Sequence, residues 1–464
     1  MTQHSTAAVI GGGIAGMAAA YELMKDGFRV TVFETRDRVG GRIWTVRKGD
    51  FVMDLGTAVY LGTYREAVAM IHEVGLTDEF VETPVIFGMP RQGKQHYLNL
   101  AKPIRASLGT QVISWPAKIK ALRLFADVFK HRASLGYDTY DGLAAIDDET
   151  VYDYCHRVLN EELARYVAAP LVSGTWVHED HDTSVALLHW TIRNMLVKSV
   201  FNLTSGVAGL PQKLATLVET KLEHTVNNVT DNGSAVEVTY VTPSSREQTQ
   251  TFDTAVIATT AHPALGMYPQ MDENHRNLYE TARYHRLGNV SLGFSARPND
   301  PGTFSMVSPY DDPDTIAVIA DHNKAPGRAP AGKGLISVLL SPAYLNRTDD
   351  RDDDYLIDHS LERVKYYYGK LPGDLEQHAV VRWPESVPAI DKGRFKRIAD
   401  FRKKIDRTSR VQFASDLDRI PGLNGGLVSG KEAAARVSAL FAHKVPGGVG
   451  SSRLIGTAGT QSPR

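Results

Sequence analysis

The chain has 464 residues, 42% of them hydrophobic and 23% charged, with a formal net charge of -1; it has room for two or three domains and the composition of a globular protein. The balanced charge lacks the Lys/Arg excess that a nucleic-acid surface needs, and the single cysteine, Cys155, excludes an intramolecular disulfide and a thiolate metal cluster. No Lys or Arg precedes the Gly/Ala-rich run near the N-terminus and no apolar stretch of about 18 residues occurs, so a cytoplasmic protein without a membrane span is expected.

Residues 7–10 are a short apolar run that turns on three glycines. Ile14, Met17, Ala18 and Tyr21 then fall at i, i+3, i+4 and i+7, one face of a helix that Asp26-Gly27 closes. Residues 29–34 are a β-branched strand, which completes a βαβ unit. Helical patterns dominate from about 110 to 200, with 115–130 and 151–172 the longest. Strands return at 236–240 and 254–258. Residues 286–345 read as strands and turns, with a Pro/Gly-rich loop over 326–334. A last strand at 411–414 precedes an alanine-rich helix at 426–443, and 446–464 is a Gly/Ser/Thr/Pro-rich tail expected to be disordered.

Gly11-Gly12-Gly13-Ile14-Ala15-Gly16 fits G-x-G-x-x-G between a strand and a helix. Gly11 allows the tight turn, Gly13 the approach of a pyrophosphate, and Gly16 the close packing of helix on strand. The helix N-terminus offers unpaired N–H groups and a partial positive charge to the phosphates. Glu34, at the end of the second strand, is placed to accept from ribose hydroxyls, which favours FAD or NAD over NADP.

Glu34-Thr35-Arg36-Asp37-Arg38-Val39-Gly40-Gly41-Arg42 resembles the second glycine motif of flavin amine oxidases, protoporphyrinogen oxidases and carotenoid desaturases, and so implies FAD. In that resemblance Gly41 gives backbone access while Arg36 and Arg42 bring guanidinium charge near the pyrophosphate. Met53-Asp54-Leu55-Gly56-Thr57 is similar to the family's D-x-G segment beside the flavin ring, which places Gly56 and Thr57 there. Val226 matches a valine whose backbone holds adenine. Asp416, Gly425 and Gly426 match the closing motif, where an acid supports the ribityl-phosphate region and a helix N-terminus faces the pyrimidine side of the flavin. The middle of the chain is most similar to protoporphyrinogen and coproporphyrinogen oxidases, in 149–176, 287–294 and 382–393. Two features of the amine-oxidising branch are missing: a lysine in 287–296 and an aromatic pair in 418–430. The porphyrinogen-oxidising G-P-[DN]-S-[FM] segment is also replaced, by Gly56-Thr57-Ala58-Val59-Tyr60.

The resemblance implies an α/β protein with a two-domain FAD-binding Rossmann-type, glutathione-reductase-like fold and a discontinuous α+β substrate domain. The FAD domain is drawn over 1–90, 203–285 and 380–445, and the substrate domain over 91–202 and 286–379. The expected activity is dehydrogenation of a small apolar substrate by hydride transfer to N5 of a non-covalent FAD, with O2 as acceptor, in the manner of protoporphyrinogen oxidases. Amine oxidation, polyene desaturation or isomerisation, and a non-catalytic binding protein of the same fold stand as alternatives. Tyr60, Trp176 and Trp383 are the pocket candidates, and no catalytic base stands out. His178-Glu179-Asp180-His181 has its second histidine at i+3 rather than the i+4 of H-E-x-x-H and reads as a polar loop, so no metal is expected. Cys155 reads as a core thiol, and the acidic run 349–354 as a helix start. The basic run 392–407 reads as a solvated face, with contact to substrate carboxylates or an anionic membrane left open, as is a homodimer.

Overall fold

The computed structural model describes residues 4–442 apart from 92–93, 103–104, 106–107 and 198; the tail expected over 446–464 lies outside the described residues. Five parallel strands, β1 (Thr6–Ile10), β2 (Arg29–Phe33), β3 (Glu219–Lys221), β4 (Thr254–Ile257) and β5 (Val411–Phe413), lie in the order β3-β2-β1-β4-β5. This is the order 3-2-1-4-5 of a doubly wound dinucleotide-binding sheet. The strands read as continuous apolar runs because both faces are covered. Ala7 and Val9 of β1 pack under helices α1 (Ile14–Lys25) and α2 (Leu423–Ala442). Ala8 and Ile10 pack under an antiparallel meander of Thr225–Asp231, Val236–Val241 and Glu247–Phe252. α1 and α2 touch backbone to backbone, since a Cβ at Gly430 would lie 2.1 Å from Ala15 O.

A seven-stranded sheet stands beside this unit. Its order is Leu375–Pro388, Tyr284–Phe294, Gly334–Leu340, Thr315–Ala320, Phe304–Met306, Ile86–Arg91 and Lys94–Asn99. The boundaries drawn at 90/91, 285/286 and 379/380 therefore fall inside three of its strands. A helical layer completes the molecule: Trp115–Lys130, Val151–Val158, Ala169–Trp176, Val185–Met195 and Arg394–Lys403 share one apolar core. The helix expected over 151–172 is interrupted. It ends at Leu159 (φ -105°, ψ -131°), Asn160 recaps the chain by accepting from Leu163 N, and a π-helical turn, Ala164–Ala168, leads into Ala169–Trp176. A polar capping side chain competes with helix continuation at that point.

Candidate active site

At the end of β1 the chain turns at Gly11, whose φ of +107° suits glycine. A Cβ at Gly16 would lie 1.9 Å from Gly11 O, so helix and strand can close up only around glycine. Gly13 differs: its φ is -69°, and an added Cβ would meet nothing within 4 Å. It is the N-cap of α1 and supplies no side-chain cap, so the first-turn N–H groups and the positive end of the helix dipole stand beside open space.

The second glycine segment lies directly on the first. Gly40 N donates to Gly12 O at 2.8 Å, and a Cβ at Gly41 (φ +57°) would sit 3.2 Å from Gly13 Cα. Buried Glu34 ties the two together by accepting from Gly12 N at 2.7 Å and Arg36 N at 2.9 Å. His224 N and Glu223 N donate to Glu34 O and Arg36 O, both at 2.9 Å. Those bonds lay residues 223–224 along this loop and lead to Val226, in the strand Thr225–Asp231.

The closing segment returns to the same place. Arg42 pairs with Asp416 at 2.9 Å and donates to Ser386 O at 2.9 Å; its own carbonyl accepts from Thr57 N at 3.3 Å and lies 1.9 Å from where a Gly56 Cβ would be. Arg42 is thus held by Asp416 and Ser386, while Arg36 stays on the loop with Nη1 on Gly41 O at 3.3 Å. Gly422 (φ +102°) donates to Asp416 at 3.4 Å and turns the chain into α2. A Cβ at Gly426 would be 3.1 Å from Ile14 Cγ2, and one at Gly425 2.2 Å from Ile420 O. The N-termini of α1 and α2 therefore meet. In the same turn Oδ1 of buried Asn424 has no hydrogen-bond partner among the described residues. Open space at Gly13, an uncapped helix end, a buried carboxylate and an orphaned acceptor fit the phosphates and ribose of a dinucleotide.

Beside this cradle lies an aromatic wall. Trp383, in the strand Leu375–Pro388, donates to Leu55 O at 2.8 Å and meets Trp44 edge to face at 6.3 Å. The guanidiniums of Arg36 and Arg38 lie 5.4 and 6.0 Å from the Trp383 ring, and Arg38 lies 4.3 Å from Trp44. Burial, with Arg36 adding repulsion, pulls Arg38 down to about 10. Val177, Leu287, Ile316 and Ala317 pack against Trp383. Val177 takes φ +62° at the end of Ala169–Trp176, an outlier for a β-branched residue. Next to it His178 accepts from Ile390 N at 2.9 Å, with its ring 4.4 Å from that of His285. Burial depresses both histidines, His285 to about 4, so both are neutral at pH 7.

Sequence reasoning missed the ionic cluster behind this wall. Asp54 is fully buried with Lys324 at 3.0 Å and Arg328 at 3.1 Å, and it accepts from Thr45 Oγ1 at 2.6 Å and Val207 N at 3.1 Å. Burial alone would raise its pKa, but Lys324 and Arg328 hold it below the usual carboxylate range. Lys324 also pairs with Asp321 at 2.5 Å, which accepts from Ser337 Oγ at 2.5 Å. Arg328 sits in the loop read only as Pro/Gly-rich. Trp44 and Arg38 were missed too, although Arg38 lies inside the second glycine motif and Trp44 two residues beyond it.

Of the pocket candidates, only Trp383 stands on the wall. Tyr60 is buried with its hydroxyl on Val207 O at 2.6 Å, and Trp176 packs against Trp190 with Nε1 on Thr191 Oγ1 at 2.7 Å. Cys155 lies in the helical core, its thiol pushed up to about 12 by burial. Among the described residues no group of His, Cys, Asp and Glu could hold a metal, and no helix is long and apolar enough to cross a membrane. In the basic run Lys392, Lys396, Arg397, Lys403, Lys404 and Arg407 are exposed, as on a solvated face, while Arg394 is buried; Arg397 pairs with Asp391, Arg402 with Asp418 and Glu432, and Lys403 with Asp141.

The model of the family described as flavin containing amine oxidoreductase matches residues 14–438. The coproporphyrinogen III oxidase of Bacillus subtilis (strain 168) is 24% identical over 436 residues, covering 86% of this chain and 90% of that protein. The enzyme of the same name from Staphylococcus aureus (strain NCTC 8325 / PS 47) is 22% identical over 480 residues, covering 93% and 98%. Among solved structures, cyclohexylamine oxidase from Brevibacterium oxydans IH-35A superposes with a TM-score of 0.75 at 17% identity, covering 95% of this chain and 100% of that one. That likeness establishes the shared fold.

Proposed function

We propose that this chain, which belongs to the flavin-containing amine oxidoreductase family and is a flavin-dependent oxidoreductase, binds FAD non-covalently and dehydrogenates an apolar substrate of the porphyrinogen class. The observation that carries the substrate reading is the wall of Trp383, Trp44, Val177, Leu287, Ile316 and Ala317. It packs as an apolar, largely buried layer beside the cradle, and no lysine stands on the strand Tyr284–Phe294 behind it. The names and full-length coverage of the two coproporphyrinogen III oxidases support the same class.

In this reading the α1 N-terminus at Gly11, Gly13 and Gly16 holds the pyrophosphate, Glu34 the ribose and the Val226 backbone the adenine. Gly41, Arg42, Gly56, Thr57, Asp416, Gly425 and Gly426 close around the rest. Non-covalent attachment is supported by Cys155, which lies in the helical core on the helix Val151–Val158. When bound, the flavin supplies a two-electron acceptor for the hydride lost from a substrate C–H bond, with O2 as its eventual oxidant. Trp44 and Trp383 exclude water and orient the substrate through their faces. Arg36 and Arg38, stacked on those rings, offer cations to substrate carboxylates. Neutral His178 and His285 add no charge beside Val177 on the wall.

The test is an anaerobic visible titration of the FAD-loaded protein with coproporphyrinogen III, a polyene and a secondary amine in turn. Bleaching by the porphyrinogen alone is expected. Bleaching by the amine or the polyene instead would transfer the enzyme to that branch, and a flavin bleached by none of them would sink the substrate reading.

A further inference from the structure

Among the described residues the buried Lys and Arg side chains are Lys324, Arg328, Arg394 and Arg419, none more than 2% exposed. Three of them face acids: Lys324 and Arg328 meet Asp54, and Arg419 meets Glu432 and Asp138. Arg394, the first residue of the helix Arg394–Lys403, pairs with no acid among the described residues. Its Nη2 donates to Leu417 O at 3.0 Å, and its Nε has no hydrogen-bond partner among the described residues. The neighbouring acids are taken. Asp391 pairs with Arg397 at 3.0 Å and Arg283 at 3.5 Å, Asp418 with Arg402 at 2.7 Å, and Asp416 with Arg42 at 2.9 Å. Asp147 caps the helix, accepting from Gly393 N, Phe395 N and Lys396 N. Burial, with repulsion from Arg397, pulls Arg394 down to about 10, which leaves it charged at pH 7. An uncompensated buried charge costs several kcal/mol, so a fold that keeps one holds it for an anion that the chain does not supply.

The backbone that Arg394 touches says which anion. Leu417 follows Asp416, which Arg42 and Gly422 hold in the cradle. Ile420, further along the same loop, shares an apolar core with Phe395 and Ile398. Arg394 therefore bears on residues 416–422 from the helical layer, and that loop delivers the N-terminus of α2. By the resemblance of the closing motif, this N-terminus faces the pyrimidine side of the flavin. The pyrophosphate is served from the other side of Asp416, by the N-terminus of α1. A flavin that takes a hydride gains two electrons and one proton, so it ends one unit more negative, with the charge on its pyrimidine. A helix N-terminus answers roughly half a unit. A guanidinium in a poorly hydrated interior answers the rest over several ångströms.

We propose that Arg394 is the counter-charge for the reduced flavin, an unpaired guanidinium held behind the loop 416–422 that favours transfer of the hydride from the substrate C–H bond. It has no partner in the oxidised state and gains one on reduction, so its interaction is stronger after the transfer than before it. The proposal rests on the flavin reading of the cradle and adds a residue that no glycine motif marks.

The test compares FAD-loaded wild type, Arg394→Met and Arg394→Lys by anaerobic equilibration with a reference dye. At a fixed potential the ratio of reduced to oxidised flavin should fall at least tenfold in Arg394→Met, about 30 mV for a two-electron couple, and Arg394→Lys should recover most of it. The FAD-free Arg394→Met protein should unfold at a midpoint no lower than wild type, because it loses a charge that nothing there answers. A fully loaded Arg394→Met with an unchanged ratio would overturn the proposal alone; a lower FAD-free midpoint beside that unchanged ratio would make Arg394 a support for Leu417. An unchanged ratio with a raised KM for coproporphyrinogen III would also overturn it and give the guanidinium to a substrate carboxylate. Wild type that takes up no flavin would overturn the cradle reading, and this proposal with it.

Discussion

At the scale of the residue, the glycines of the first loop are of two kinds, and the difference separates folding from cofactor binding. Gly16 is required by the fold, because a Cβ there would sit 1.9 Å from a backbone oxygen. Gly13 is not: its φ of -69° and ψ of 174° suit any L residue, and its Cβ position is open. Gly13→Ala should therefore leave the stability of the FAD-free protein within about 0.5 kcal/mol of wild type. Its methyl would occupy the space the pyrophosphate needs, so FAD affinity should fall at least tenfold, about 1.4 kcal/mol. Chemical denaturation of the FAD-free protein and fluorimetric titration with FAD measure the two separately. Full FAD stoichiometry at wild-type affinity in Gly13→Ala would show that the phosphates lie elsewhere.

At the scale of the element, the cluster around Lys324 joins parts that share no local sequence. Asp54 comes from the strand Phe51–Asp54, Lys324 and Asp321 from the helical turn Asp321–Lys324, and Ser337 from the strand Gly334–Leu340. Lys324→Met would leave two buried carboxylates with Arg328 as their one remaining cation. Breaking a buried pair on one side costs about 3–5 kcal/mol, and a urea denaturation midpoint should show it. Adding Asp321→Asn should recover part of the loss, by removing one of the stranded charges; an unchanged midpoint in Lys324→Met would mean that water reaches the cluster. The same residues mark where sequence reading stops. β1, α1 and β2 were legible because strand period, helix period and glycine turns are local signals. The helix Trp115–Lys130 was legible at both ends for the same reason. The Asp54–Lys324 bond spans 270 positions, and its cation lies beside a segment whose only pattern is Pro and Gly. Nothing local distinguishes a lysine that pairs in the core from one that solvates a loop. Trp176 misled in the other direction, since an aromatic ending a helix in a family-like segment looks the same in sequence whether it faces a pocket or Trp190.

For the whole molecule, the histidines predict how stability varies with pH. Burial depresses His178 well below its usual value, His189 and His285 to about 4, and His322 and His359 in the same direction. His189 also has neither ring nitrogen hydrogen-bonded among the described residues, and it packs against Tyr154 at 5.0 Å. In the unfolded chain all five titrate near pH 6.5. Between roughly pH 6.5 and 4 the unfolded chain therefore binds protons that the native state refuses, and stability falls as pH falls, by up to about 1.4 kcal/mol per pH unit for each histidine. Above pH 7 both states are neutral at these positions and the contribution is constant. The depressed carboxyls, Asp54 and Glu432 among them, act in the same direction but at lower pH, as acid begins to protonate them in the unfolded chain near pH 4. Thermal midpoints should therefore be level from pH 8 to 7 and drop steeply from 6.5 to 4.5, before most carboxyls titrate. His189→Phe keeps the ring packing and has no nitrogen to protonate, so it should flatten that drop by the share of one histidine while leaving the plateau near its wild-type level. A wild-type midpoint that holds from pH 7 to 5 would mean that these rings accept protons in the folded state as readily as in the unfolded chain, and that burial does not keep them neutral.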